Sequence, residues 1–199
     1  MKVITKVLCI FIAAMAIGCN KENKAVDDAE IRYRYFNLEH SGWKSKQYTQ
    51  SVEDINFTAV EVPLPYYILK DMGTENLFEA DSIYQTNKRE RVIEFEFKNK
   101  DEEDLLDSKF TKLSYEEGVK YLSFNIEKDF KVITSKKDTI SCSGVTFERN
   151  FKTAPYHKLI LFFTDINPDE QIQLVYEDNL FKKGTLKFKF QEKITKLVL

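Results

Sequence analysis

The chain has 199 residues, with 30 Lys and Arg against 32 Asp and Glu, for a formal net charge of −2. Without a basic excess it lacks the electrostatic footprint of a nucleic-acid-binding protein, and nothing in the balance draws it to an anionic lipid surface. The length suits one domain with a substantial core.

The first residues, MKVITK, carry Lys2 and Lys6 and no acid, and VLCIFIAAMAI at 7–17 is an unbroken apolar run. A positive start followed by a short apolar stretch is the pattern of an export signal. Crossing a bilayer takes about 20 apolar residues, so this run is too short for a membrane-spanning helix. It ends in Ala16-Ile17-Gly18-Cys19, and the chain turns polar at once.

That tetrapeptide resembles the lipobox of bacterial lipoproteins, with Ala16 where the class prefers Leu. The resemblance covers about the first 19 residues. It implies a signal peptide over 1–18, a diacylglyceryl group on the Cys19 thiol and an acylated new amino terminus. An ordinary secretory signal ends in A-x-A, which Ala14-Met15-Ala16 also satisfies. One acyl chain anchors only marginally, at about 0.8 kcal/mol per buried methylene, whereas two or three hold firmly. The resemblance thus implies a protein lipid-anchored to a bacterial membrane of the cell envelope, with the outer membrane expected, on its periplasmic or surface face.

Removing the signal takes away Lys2 and Lys6, leaving 28 basic and 32 acidic residues and a net charge near −4. It also removes Cys9. With Cys19 lipidated, Cys142 is the one remaining thiol and no intramolecular disulfide can form. The fold must then rest on its core, and the mature chain keeps 26 aromatic residues, each burying about 150–250 Å².

Residues 19–30, the lipidated cysteine and NKENKAVDDAE, read as a polar tether, and 31–199 as the folded domain. The domain reads mainly as strands. IRYRYF at 31–36 alternates Ile31, Tyr33 and Tyr35 with two arginines, and INFTAVEV at 55–62 is β-rich and ended by Pro63 and Pro65. A helix over 65–72 with Gly73 just past it is one reading of the next stretch, although Tyr66-Tyr67-Ile68-Leu69 suits a strand equally. In RVIEFEFK at 91–98, Ile93, Phe95 and Phe97 face in while Glu94, Glu96 and Lys98 face out. Ser114 and Glu117 make a capping box that opens a short helix over about 115–121.

From Tyr121, Leu122, Phe124 and Ile126 alternate as in a strand, and Phe130 and Val132 continue the parity. Ile140 and Cys142 alternate, and the apolar set resumes at Val145 and Phe147, which predicts a bulge at Gly144. LILFF at 159–163 is apolar on both faces and predicts a central strand. Asn167-Pro168-Asp169 is a turn. Ile172, Leu174 and Tyr176 alternate, Leu186, Phe188 and Phe190 follow the Lys183-Gly184 turn, and ITKLVL at 194–199 reads as a last strand. The fold class is therefore mainly β, an antiparallel β-sandwich with one or two short helices. The immunoglobulin Cys…Trp…Cys signature is absent, so only an immunoglobulin-like architecture, not that family, is supported.

No catalytic constellation stands out. The two histidines, His40 and His157, lack a G-x-S-x-G partner. Cys142 reads as a small buried hydrophobe, and one free Cys with two separated His makes no zinc site. The acidic run Asp101–Asp104 with Asp107 lacks the ligand order of a calcium loop and reads as solvated. The sequence therefore predicts no catalytic residue, no metal and no cofactor. A binding loop is placed at His40 and Trp43, the sole tryptophan, in EHSGWKS. FERNFK at 147–152 and YYILKDMGTENLF at 66–78 mix aromatics with charge and are candidate partner surfaces.

The reading that results is a non-enzymatic envelope lipoprotein whose β-sandwich engages another envelope protein. A glycan- or nutrient-binding lipoprotein is the alternative, followed by a hydrolase using two carboxylates. Cys19→Ser is expected to abolish incorporation of a fatty-acid analogue in metabolic labelling, and equal labelling of both forms would overturn the lipobox reading.

Overall fold

A computed structural model describes Ile31, residues 47–73 and residues 76–190. The predicted strand at 194–199 lies outside these residues. So does the stretch at 31–36 apart from Ile31, which is helical rather than extended.

The protein is mainly β, as predicted, with two antiparallel sheets packed face to face. The strands are β1 (Gln47–Val52), β2 (Ile55–Val62), β3 (Arg91–Asn99), β4 (Phe130–Thr134), β5 (Thr139–Ser141), β6 (Gly144–Glu148), β7 (Tyr156–Phe163), β8 (Ile172–Asp178) and β9 (Gly184–Phe190). One sheet runs β1-β2-β3-β7-β6 and the other β5-β4-β8-β9. From residue 47 on, the helices among the described residues are α1 (Leu64–Met72), α2 (Leu77–Asn87), the single turn α3 (Ser108–Thr111) and α4 (Tyr115–Phe124), followed by a 3₁₀ turn at Ile126–Asp129.

The alternating positions read from the sequence meet in one core. Phe57, Ile93, Phe95, Phe97, Leu159 and Leu161 come from the first sheet, and Phe130, Val132, Leu174, Tyr176, Leu186 and Phe188 from the second. Phe95 lies against Phe130 at 5.0 Å, Tyr176 at 5.1 Å and Phe188 at 5.5 Å between ring centroids, all near edge-to-face. LILFF occupies β7, between β3 and β6, which accounts for its two apolar faces. A second apolar cluster, with Ile31, Val62, Tyr66, Leu69 and Ala80, joins α1 and α2 to β2.

Three expectations are corrected. Tyr121–Ile126 is helix and 3₁₀ turn, not strand. The Ser114–Glu117 box is present in both directions, and the helix it opens runs on to Phe124. Leu122 and Ile126 are four residues apart, which suits a helix as well as a strand, and Phe124 between them is 77 % exposed. The parity slip at Gly144 is a change of sheet rather than a bulge. Cys142 N–H donates to Phe130 O in one sheet and Ser143 N–H to Phe162 O in the other, so the chain crosses between layers there. Finally, the described residues from 47 on hold four helices where one or two were expected for the domain. The helix over 65–72 forms, with Gly73 at φ 81° past its end. The unforeseen α2 buries little besides Ala80 and so shows no apolar stripe.

At the start of β3, buried Arg91 forms an ion pair with Glu61 of β2. Its Nη2 donates to the carbonyls of Asn167 (2.9 Å), Pro168 (3.0 Å) and Glu170 (2.6 Å). One guanidinium thus holds the predicted Asn167-Pro168-Asp169 turn, where Asp169 N–H also donates to Asn167 Oδ1.

Truncating the ring that both layers share leaves a cavity that the close-packed neighbours cannot fill. Phe95→Ala is expected to cost about 3–5 kcal/mol in urea unfolding, against about 1 kcal/mol or less for the exposed Phe124→Ala.

Candidate interaction site

The β6–β7 connection, residues 149–155, is short and closely bonded. Asn150 Nδ2 donates to Ala154 O at 2.9 Å and to Tyr156 O. Its Oδ1 accepts from Lys152 N–H at 3.0 Å, and its carbonyl accepts from Thr153 N–H at 2.9 Å. Between these bonds Phe151 and Lys152 sit at φ 50° and φ 65°. Two consecutive positive φ angles belong to a type I′ turn, which favours Asn-Gly at those places. A phenylalanine there is strained by about 1–2 kcal/mol.

The strain accompanies exposure. The Phe151 side chain is 69 % exposed at the tip of the turn, with the Arg149 guanidinium 4.7 Å from its ring centroid. Tyr156, at the base of the loop, is also exposed. A large ring held outward by a rigid turn loses little freedom on docking, which is what an anchor residue of an interface requires.

The loop is tied inward through Lys152. Its ammonium lies 4.2 Å from the Tyr115 ring at the start of α4 and 4.0 Å from Asp104 Oδ2. Asp104 Oδ1 accepts from Leu106 N–H at 3.0 Å and meets His157 Nε2 at 2.8 Å. The His157 side chain is 3 % exposed and lies between the Phe97 and Phe147 rings, at 5.6 Å and 6.0 Å. Its Nδ1 is buried without a hydrogen-bond partner. Burial pulls the imidazole below its ordinary pKa, against an opposing pull from Asp104.

The other residues weighed from the sequence have structural uses. Cys142 sits where the chain changes sheet, with its Sγ 3.1 Å from Gly144 O, and burial pushes its thiol up to about 11. The acidic run is consumed locally: Glu102 pairs with Lys98 at 3.1 Å, Glu103 with Lys109 at 2.6 Å, and Asp107 caps α3. On the outer face of the first sheet, Lys158 links Glu94 (3.0 Å) to Glu148 (3.5 Å), and Tyr67 of α1 donates to Glu94 at 2.6 Å. Burial raises the pKa of the neighbouring Glu96. This ladder joins α1, β3, β7 and β6, and Lys158 offsets one of the two charges it spans. Among the described residues no three His, Cys, Asp or Glu come together to hold a metal ion. Cys19, His40 and Trp43 lie outside the described residues.

FERNFK thus falls on the end of β6 and the exposed tip. The sequence reading marked the segment without separating inward Phe147 from outward Phe151. The signal was present as Asn150, which favours turns, between two phenylalanines of opposite fate. The 66–78 segment forms α1 and the start of α2, with Phe78 80 % exposed.

No protein-family model matches the chain, and no curated protein does. Among solved structures, a crystal structure of a DUF4426 family protein from Pseudomonas aeruginosa PAO1 is similar at 11 % identity, over 75 % of this chain and 95 % of that one, with a TM-score of 0.36. A likeness at that TM-score bears on neither the function nor the site.

Relieving the strained turn and removing its staple act in opposite directions. Phe151→Gly is expected to leave stability unchanged or raise it by up to about 1 kcal/mol. Asn150→Ala should lower it by about 1–3 kcal/mol. Chemical denaturation of both variants checks the pair.

Proposed function

We propose that this chain is a lipid-anchored protein of a bacterial cell envelope that binds another envelope protein through its β6–β7 loop and catalyses no reaction. The observation that carries the reading is Phe151: large, exposed, strained and fixed outward by the Asn150 bonds. Backbone strain of this kind concentrates at functional sites, and a rigid aromatic tip is a frequent hot spot.

The Cys19 pattern supports the anchor and the envelope address, with the outer membrane as the expected membrane. The inert state of the described nucleophile and base supports a binding role. The Cys142 thiol is buried and raised to about 11, and His157 offers solvent almost no surface. No helix among the described residues is long and apolar enough to cross a membrane.

The test compares wild type with Phe151→Ala, each extracted from cross-linked membranes and quantified for associated protein. A hot-spot loss of about 2 kcal/mol corresponds to a fall of about 30-fold in affinity. The expected result is loss of one partner of defined stoichiometry, with lipidation and denaturation midpoint unchanged. Equal recovery of that partner overturns the assignment of the loop. Absence of any partner, together with an oligosaccharide-dependent change in Trp43 fluorescence, favours the glycan-binding reading instead.

A further inference from the structure

Of the groups that tie the loop inward, one is a histidine, whose ordinary titration lies near neutral pH. Three facts on its geometry matter together. His157 is almost fully buried between the rings of Phe97 and Phe147. Its Nε2 is committed to Asp104 Oδ1 at 2.8 Å. Its Nδ1 is buried and has no partner. The neutral tautomer that fits carries its proton on Nε2 and donates to the carboxylate, leaving Nδ1 as an unprotonated lone pair.

We propose that the His157–Asp104 pair is an acid-released latch: protonation of His157 at Nδ1 loosens residues 100–104 and, through Lys152, the turn that presents Phe151. This rests on the reading of the β6–β7 loop as the interaction site and adds its regulation.

The sign follows from the surroundings. A proton on Nδ1 creates a buried N–H with no acceptor and a cation enclosed by rings. From the 100–107 loop the charged group facing it is Asp104, and from the β6–β7 loop it is Lys152, 4.0 Å from the same carboxylate. β3 and β6 present only the Phe97 and Phe147 rings, and Tyr115 of α4 lies under Lys152. Asp104 attracts the new charge through Oδ1, which also accepts from Leu106 N–H, while its Oδ2 is buried without a hydrogen-bond partner, 4.0 Å from Lys152; burial opposes the charge more strongly. The latched pKa is therefore below the ordinary value of about 6.5, while opening admits water to the imidazole and brings it back toward that value. Stability of the latch is complete above about pH 6.5 and is lost as pH falls from there through the latched pKa.

The release is local. Asp104 and Lys152 both sit on connections, whereas Phe97, Leu105 and Leu106 are buried in the main core, with Phe147 packed against it, and stay in place. Loops with few buried apolar contacts open well before the core does.

The test is hydrogen exchange on the protein as purified from the expressing cell, read from pH 7.5 to 5.0 and corrected for the intrinsic pH dependence of exchange. Opening at the Lys152 and Thr153 amides is expected to rise by up to about tenfold per pH unit below 6.5, while β3 and β8 keep their protection. His157→Gln keeps a donor for Asp104 but cannot titrate, and should flatten this dependence. Should that variant fail to fold, the ring resonance of His157 in wild type decides: a midpoint below 6.5 supports the latch. A midpoint at or above 6.5, pH-independent exchange of the loop, or the same dependence in folded His157→Gln overturns it. Partner recovery is not read here, so failure of the latch and failure of the docking assignment are told apart.

Discussion

The two layers of this protein meet around one ring. Phe95 projects from the middle of β3, itself inside its sheet between β2 and β7, and meets Phe130, Tyr176 and Phe188 of the opposite sheet. Sheets in a sandwich lie about 10 Å apart, a gap that aromatic side chains fill in a single layer. Cys142 is the sole cysteine among the described residues and it is unpaired, so aromatic contact carries the load a disulfide bears in many exported domains. Register follows from the same constraint. A slip of one residue in β3 would turn Ile93, Phe95 and Phe97 outward and bring Glu94 and Glu96 inside.

The two ends of β3 are secured by different chemistry. At its start Arg91 ties the β7–β8 turn with a charge that no physiological pH removes. Near its far end Phe97 stands opposite His157, whose imidazole ties two connections through Asp104. One end of the sandwich therefore has a permanent fastener and the other an ionisable one. The exposed Phe151 turn belongs to the second end.

Much of this architecture was legible from period alone. INFTAVEV and RVIEFEFK became β2 and β3 nearly residue for residue, and LILFF the last five residues of β7, because half-buried and fully buried strands leave distinct patterns. The Ser114 box was legible because capping is local chemistry. Leu122 and Ile126 misled because a spacing of four serves both structures. The crossing at Cys142 was seen as a change of parity, but a parity change does not say whether the chain kinks within one sheet or leaves it for another. The helix α2 carries an Asn76–Glu79 cap and no apolar stripe, so its position depends on α1, with which it shares the second cluster. The site was hardest to read. That Phe151 points out and Phe147 in depends on where the turn falls, and that His157 meets Asp104 depends on a contact across 53 residues.

The insertion of β7 between β3 and β6 also sets an order of assembly. Val92 pairs with Phe162 and Phe97 with His157, so β3 has one open edge until nearly all of the domain's strands exist. Such distant pairing closes large loops before any contact rewards it, which places the protein among slow folders. In that interval a strand rich in phenylalanine has an unpaired edge, the feature that recruits other chains. Its alternating Glu94, Glu96 and Lys98 put charge on every second position and act as gatekeepers against that association during the wait.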